Sequence, residues 1–116
     1  RRSKVLIVDD DPFNQMVINE YLGKYGFKCE ICANGLQALQ KLSKERFDAV
    51  LMDCEMPQMD GYTATRKIIE MNPKILVIGI TGNTGGKPIE WALASGMKYV
   101  ESKPINFQKL VNLLSL

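Results

Sequence analysis

Five short apolar runs, each followed within a few residues by a helical pattern, recur roughly every 23 residues, and this alternation constrains the fold more than any other feature. The runs are 4–8, 28–33, 49–53, 75–81 and 99–102. The third and fourth are almost free of polar interruption, as strands covered on both faces require. Strand–helix alternation implies right-handed crossovers and a parallel sheet with helices on both sides, an α/β fold of the three-layer αβα type. Val5–Val8, Ala49–Met52 and Ile75–Ile80 should form the middle of that sheet.

Helix signals fill the intervals. Asp11-Pro12 reads as an N-cap with proline at the first helical position, opening a helix that carries Phe13, Met16, Val17 and Tyr21 on one face and stops near Gly26. Asn34-Gly35 opens a second, with Leu36, Leu39 and Leu42. Asp60-Gly61 opens a third, which carries Ile68 and Ile69 until Asn72-Pro73 ends it. A fourth is expected over 88–95 with a stop at Gly96, and a fifth from Asn106 has clean amphipathic spacing in Phe107, Leu110, Val111 and Leu114. Nothing resembles a linker, repeat or low-complexity tract, so 1–116 reads as one domain.

Composition excludes several function classes. The net charge of +2 is too small a field to make nucleic acid an obligatory partner. No apolar run approaches the roughly 18 residues of a membrane span, and no signal-peptide core follows Arg1-Arg2-Ser3-Lys4. A cytoplasmic location without membrane contact is expected. The chain contains no histidine, which removes Ser-His-Asp and Cys-His catalysis and most zinc sites. Cys29 and Cys32 have C-x-x-C spacing but fall inside an apparent strand; with Cys54 they read as three small packed thiols. The chain lacks an initiator Met and an output region, which suggests a piece of a longer protein.

In a doubly wound sheet the binding crevice lies beyond the carboxyl ends of the strands. Asp9, Asp10 and Asp11 follow the first strand, Asp53 closes the third, Thr81 closes the fourth, and Lys103-Pro104 follows the fifth. Clustered carboxylates repel one another and resist desolvation unless a divalent cation resolves the conflict. Oxygen-only ligands favour Mg²⁺, with Mn²⁺ an acceptable substitute. Asp9 and Asp10 are the ligand candidates, while Asp11, next to Pro12, is better read as a helix cap. Asp53 ends a rigid apolar strand, where a carboxylate nucleophile for phosphorus would sit; a metal, Lys103 and the Thr81 hydroxyl would supply the remaining requirements of phosphoryl transfer.

These segments, Val5-Leu-Ile-Val-Asp-Asp10, Leu51-Met-Asp-Cys-Glu-Met-Pro-Gln-Met-Asp-Gly61, Ile80-Thr81 and Ser102-Lys-Pro-Ile105, resemble the receiver domain of two-component response regulators over essentially the whole chain. Met52-Asp-Cys-Glu-Met-Pro57 and Asp11-Pro-Phe-Asn-Gln15 are most similar to receivers of hybrid sensor histidine kinases. The resemblance implies a flavodoxin-like (βα)₅ fold with strand order 2-1-3-4-5 and Asp53 as the phosphorylated aspartate. It implies metal ligation by Asp10, Asp53 and the Glu55 main-chain carbonyl with Asp9 as the paired acid, Lys103 as a phosphoryl ligand before a cis Pro104, and Thr81 as the hydroxyl that moves toward the phosphoryl group. A phosphohistidine-bearing kinase or phosphotransfer domain is the implied donor, in a signalling module that catalyses only its own phosphorylation and dephosphorylation. The resemblance places Glu55 and Asn83 at positions that tune phosphoryl lifetime. The domain is expected to be monomeric or at most weakly dimeric, and the parent protein is free to carry a membrane anchor.

The family reads its switch through helix four, strand five and helix five, using an aromatic residue three positions before the lysine. Here that position is Val100, with Tyr99 on the opposite side of the strand. Two rival readings remain. One is a Mg²⁺-dependent phosphohydrolase with Asp53 as a transient nucleophile and Glu55 as general acid, for which 116 residues leave no cap domain. The other is a flavin mononucleotide binder, suggested by Thr81-Gly-Asn-Thr-Gly85, whose phosphate loop belongs after strand one rather than strand four.

Overall fold

The structure, a computed structural model, describes residues 3–57, 59–83 and 85–116. Arg1, Arg2, Gln58 of the segment after the third strand and Thr84 of the glycine-rich segment lie outside the described residues. Strands β1 (Lys4–Val8), β2 (Lys28–Cys32), β3 (Ala49–Asp53), β4 (Leu76–Thr81) and β5 (Tyr99–Ser102) pair in parallel in the order β2-β1-β3-β4-β5. They alternate with helices α1 (Pro12–Lys24), α2 (Gly35–Lys44), α3 (Gly61–Met71), α4 (Gly86–Ser95) and α5 (Phe107–Leu114). This is the flavodoxin-like order that the resemblance implies.

Alternating side chains divide the core into two layers. Val5, Ile7, Leu51, Ile78 and Ile80 meet Ile18 and Leu22 of α1 and Leu110, Val111 and Leu114 of α5. On the opposite face Leu6, Val8, Val50, Met52 and Val77 meet Ala38 of α2, Ala64 and Ile68 of α3 and Ala92 of α4. Every residue of β3 and β4 is buried, which explains their uninterrupted apolar sequence.

Asp11, Asn34, Asp60 and Asn106 each cap a helix, accepting backbone N–H bonds from Phe13, Gln37, Thr63 and Lys109. Gly26 (φ 88°) and Gly96 (φ 113°) supply the left-handed backbone beyond α1 and α4. Cys29, Cys32 and Cys54 are free thiols. The three-residue separation puts Cys29 and Cys32 against opposite core layers.

Several sequence expectations shift. In α1 the buried stripe is Ile18 and Leu22 with Val17 and Tyr21 half-buried, whereas Phe13 is 65% and Met16 50% exposed. Apolar residues occur around most of this helix, so periodicity does not select a face; packing against the sheet does. Leu36 is exposed at the start of α2, where Gly35 and Ala38 are buried instead. Helix α4 begins two residues before Pro88, whose missing N–H falls among the first-turn donors that need no helical partner. Strand β2 stops at Cys32 because the Ala33 N–H turns to the Gln37 side chain, and β4 starts at Leu76 because the Ile75 N–H closes a turn on Asn72.

Candidate functional site

The parallel register brings the carboxyl ends of four strands to one edge. Val8 pairs with Met52, Asp53 with Ile80, and Thr81 with Ser102, so the residues that follow these positions open on a common crevice. Asp53 is 3% exposed and Asp9 4%, while Asp10 is exposed. One carboxylate oxygen from each of Asp9, Asp10 and Asp53 lies within 4.8 Å of the other two.

The backbone fixes this cluster tightly. Asp9 is tied to the end of β2 through its N–H on the Cys32 carbonyl (3.1 Å), and its Oδ1 accepts the Asp11 N–H (2.9 Å). Asp53 Oδ1 accepts the Glu55 N–H at 3.1 Å and faces Lys103 Nζ at 3.5 Å. Both contacts use one oxygen, leaving Oδ2 without a protein hydrogen bond among the described residues. The loop after Asp53 closes where the Gly61 N–H meets the Cys54 carbonyl (3.1 Å). A Cβ on Gly61 would lie 2.3 Å from the Asp53 carbonyl oxygen, so only glycine lets α3 start against the Asp53 backbone.

Lys103 reaches the site from β5. Its N–H donates to the Thr81 carbonyl at 2.8 Å, and its peptide bond to Pro104 is cis, as the resemblance implies. The lysine is the one cation in contact with Asp53 among the described residues, against two neighbouring carboxylates. Burial pushes the Asp53 carboxyl up to about 6; the Lys103 ammonium opposes that shift and the Asp9 charge adds to it. Asp9 is raised as well, chiefly by burial, with the Asp11 N–H and Lys103 pulling the other way. Net acid in a half-closed crevice lined by oxygen donors is the chemistry of a hard divalent cation site, and Asp9, Asp10 and Asp53 fit one.

Thr81 is 1% exposed. Its hydroxyl donates to Glu55 Oε2 at 2.8 Å and accepts the Asn83 N–H at 3.0 Å, and the Gly82 N–H donates to Glu55 Oε1 at 2.9 Å. The Glu55 side chain therefore belongs to the Thr81 side of the crevice and not to the acid cluster. Sequence reasoning missed this clasp, which joins residues 26 positions apart and uses a backbone N–H that leaves no signature in the sequence. Asp11 caps α1 as expected and lies outside the cluster. An acid bonded to the backbone of the glycine-rich segment also argues against a flavin phosphate there.

Beside the crevice, the Cys54 thiol is buried and pushed up to about 12, chiefly by desolvation. Tyr62, hydrogen-bonded to it, is also raised to about 12, and the Tyr62 ring meets Trp91 of α4 edge-on at 6.0 Å. Val100 packs on the α2/α3/α4 layer and Tyr99 on the α1/α5 layer, so no aromatic side chain of β5 lies on the Val100 side.

Comparison with known proteins gives a consistent family. The family described as response regulator receiver domain matches residues 5–115. Sensor histidine kinase RcsC of Escherichia coli K12 is 38% identical over 112 residues, covering 97% of this chain and 12% of that protein. Sensor protein EvgS of the same strain is 34% identical over 111 residues, covering 96% of this chain and 9% of EvgS. The chain thus spans about a tenth of the length of these relatives. Among solved structures, the receiver domain of sensor histidine kinase PA1611 from Pseudomonas aeruginosa PAO1, described with a magnesium ion coordinated in its active-site cleft, superposes with a TM-score of 0.90 at 34% identity, covering 99% of this chain and 96% of that one. A receiver domain from Methanospirillum hungatei gives a TM-score of 0.92 at 27% identity, covering 99% and 92%.

Proposed function

The chain belongs to the response regulator receiver domain family, and from that premise we propose that it accepts a phosphoryl group on Asp53 from a phosphohistidine borne by a separate kinase or phosphotransfer domain. The observation that carries this reading is the convergence of Asp9, Asp10, Asp53, Lys103 and Thr81 from four strand ends beside one carboxylate oxygen that has no protein hydrogen bond among the described residues. With no histidine in the sequence, the donor must lie outside this chain.

Asp53 Oδ2 attacks phosphorus, an O–P bond forms, the N–P bond of the donor breaks, and the released imidazole nitrogen takes a proton from solvent. Asp9, Asp10 and Asp53, with the Glu55 main-chain carbonyl, would hold Mg²⁺ or Mn²⁺, which when bound supplies positive charge to the equatorial phosphoryl oxygens. Lys103 neutralises a further oxygen, and Thr81 donates its hydroxyl proton once the group has arrived. Phe13, Asn14 and Val17 of α1, with Pro104, Ile105 and Phe107, line a groove of about 220 Å³ next to Lys103. Its exposed Phe13 gives the donor domain an apolar anchor beside the acceptor. The change then passes to the α4/β5/α5 face, and the domain performs no chemistry except on its own acceptor. Residues 1–116 are on this reading a single receiver domain, working in a cytoplasmic compartment as part of a larger, hybrid-kinase-like protein and remaining monomeric or weakly dimeric.

The test is incubation with a small-molecule phosphodonor and Mg²⁺ followed by intact mass. One added phosphoryl group is expected on the parent chain and none on Asp53→Asn. Repeated hydrolysis of phosphate esters without a stable adduct would instead favour a phosphohydrolase.

A further inference from the structure

We propose that the Glu55 carboxylate is an internal occupant of the phosphoryl-binding donors, holding Thr81 and Gly82 until the phosphoryl group on Asp53 displaces it. This deepens the phosphoacceptor reading and rests on it.

The argument is one of proton counting. A phosphoryl group on Asp53 needs donors on the side of the crevice away from the acid cluster, and that side offers the Thr81 hydroxyl and the Gly82 N–H. Each has one proton. Both protons are directed at Glu55, the hydroxyl to Oε2 at 2.8 Å and the N–H to Oε1 at 2.9 Å, a two-point grip like that of an oxyanion. The Thr81 oxygen also accepts the Asn83 N–H at 3.0 Å, and for its proton the Asn83 carbonyl at 3.3 Å is a longer, uncharged alternative to Glu55 Oε2. No phosphoryl oxygen can take either donor without evicting the carboxylate.

Eviction is feasible because of where Glu55 sits. Its residue is exposed, so the released carboxylate rehydrates without crossing the core. A Cβ built on Gly82 would make only ordinary van der Waals contact with Glu55 Oε1 (3.8 Å) and Lys103 Cδ (3.9 Å), so the grip on the carboxylate depends on the Gly82 N–H and not on the missing side chain. The Glu55 N–H is bonded to Asp53 Oδ1, which puts acceptor and occupant on the same short stretch of backbone. A phosphoryl dianion arriving next to Glu55 repels it, so gain of the group and loss of the clasp are coupled events. With Val100 and no aromatic residue at position 100, the contact of Glu55 with Thr81 and Gly82 at the end of β4 is the element that the arriving group makes or breaks. Glu55 is on this account a positioning residue that raises the threshold for phosphorylation.

The test compares the parent chain, Glu55→Ala, Glu55→Gln, Thr81→Val and the double variant Glu55→Ala/Thr81→Val, using Mg²⁺ with beryllium fluoride as the bound probe and a small-molecule phosphodonor for the rate. Loss of one charge-assisted, two-point contact should tighten fluoride-complex binding and speed uptake by about tenfold in Glu55→Ala. In Thr81→Val the benefit of removing Glu55 should shrink to a few-fold at most, which separates a clasp from long-range charge repulsion. Glu55→Gln, able to accept but with one oxygen in place of two, should fall between. The Gly82 amide proton should move upfield in Glu55→Ala, where its acceptor is lost, and return downfield in that variant when the probe supplies a new acceptor. Equal gains with and without Thr81, or a Gly82 amide unmoved by Glu55→Ala, overturn the clasp. Failure of the parent to take either probe or phosphoryl group overturns the phosphoacceptor reading itself, so the two failures are distinguishable.

Discussion

The two ends of the sheet treat charge in opposite ways. At the amino end, Lys4 and Lys41 interleave with Glu30 and Glu45 in a four-member ion network, and Asp48 accepts the backbone N–H groups of Ser3 and Lys4. Hydrogen bonds from Lys41 and Lys4 hold the Glu45 carboxyl down near about 2, and the Lys4 N–H lowers Asp48. At the carboxyl end, Asp53 and Asp9 are buried with one lysine between them and both are raised. One end is electrostatically satisfied and the other is held short of counter-charge. On the proposed phosphoacceptor reading, the unsatisfied end stores the affinity for a cation and for phosphoryl transfer, and the satisfied end has none to offer.

The contrast predicts opposite pH responses. Asp53 folds with its pKa at about 6, above an unfolded value of 3.8, so between these values the native state binds more protons than the unfolded chain and metal-free stability falls as pH rises. Glu45 and Asp48 are depressed, and their contribution is present at neutral pH and lost on acidification.

The largest effect should come from Asp53→Asn, which abolishes phosphorylation and stabilises the metal-free fold at pH 7.5 by up to about 3 kcal/mol, the free-energy equivalent of the raised carboxyl. Thermal melts in chelator should show this gain, and the gap to the parent should narrow when Mg²⁺ is added; equal melting of the two chains in chelator would remove the asymmetry. Next, Lys103→Ala should slow uptake from a small-molecule donor by about a hundredfold and move the Asp53 titration, followed by carboxyl NMR, above its parental position. Gly61→Ala should cost about 1–3 kcal/mol in denaturant melts, because the added methyl meets backbone and not a pliable side chain. The smallest change is expected from Glu45→Gln: a slight loss of thermal stability, mostly erased at about 0.5 M salt, with phosphoryl uptake unchanged. A clear slowing of uptake in this last variant would mean that the two ends communicate.

Much of this was legible in the chain before folding. Strands 4–8, 49–53 and 99–102 and the caps at Asp11, Asn34, Asp60 and Asn106 follow from local chemistry, and the structure keeps them. That Asp9, Asp10, Asp53, Thr81 and Lys103 meet at one edge was legible for a related reason, since a strand end is a local feature and a doubly wound sheet brings strand ends together. What stayed hidden depends on partners distant in sequence. The buried face of α1 was set by the sheet, because Met16, Val17 and Ile18 look alike to any periodicity. The Glu55 contact with Thr81 crosses 26 positions and is fixed by register between β3 and β4, which sequence spacing does not encode. Pro88 misled the start of α4 because a proline fits the third helical position as well as the first.

Gly61 carries a further consequence. An added methyl at Gly23 or Gly86 would meet nothing within 4 Å, so drift is sterically free at those positions, but at Gly61 it would strike the carbonyl of Asp53. Anyone grafting the Asp53 strand end onto another parallel sheet, or recombining receivers by crossover within the segment from 53 to 61, must move the aspartate and the glycine as an indivisible cassette.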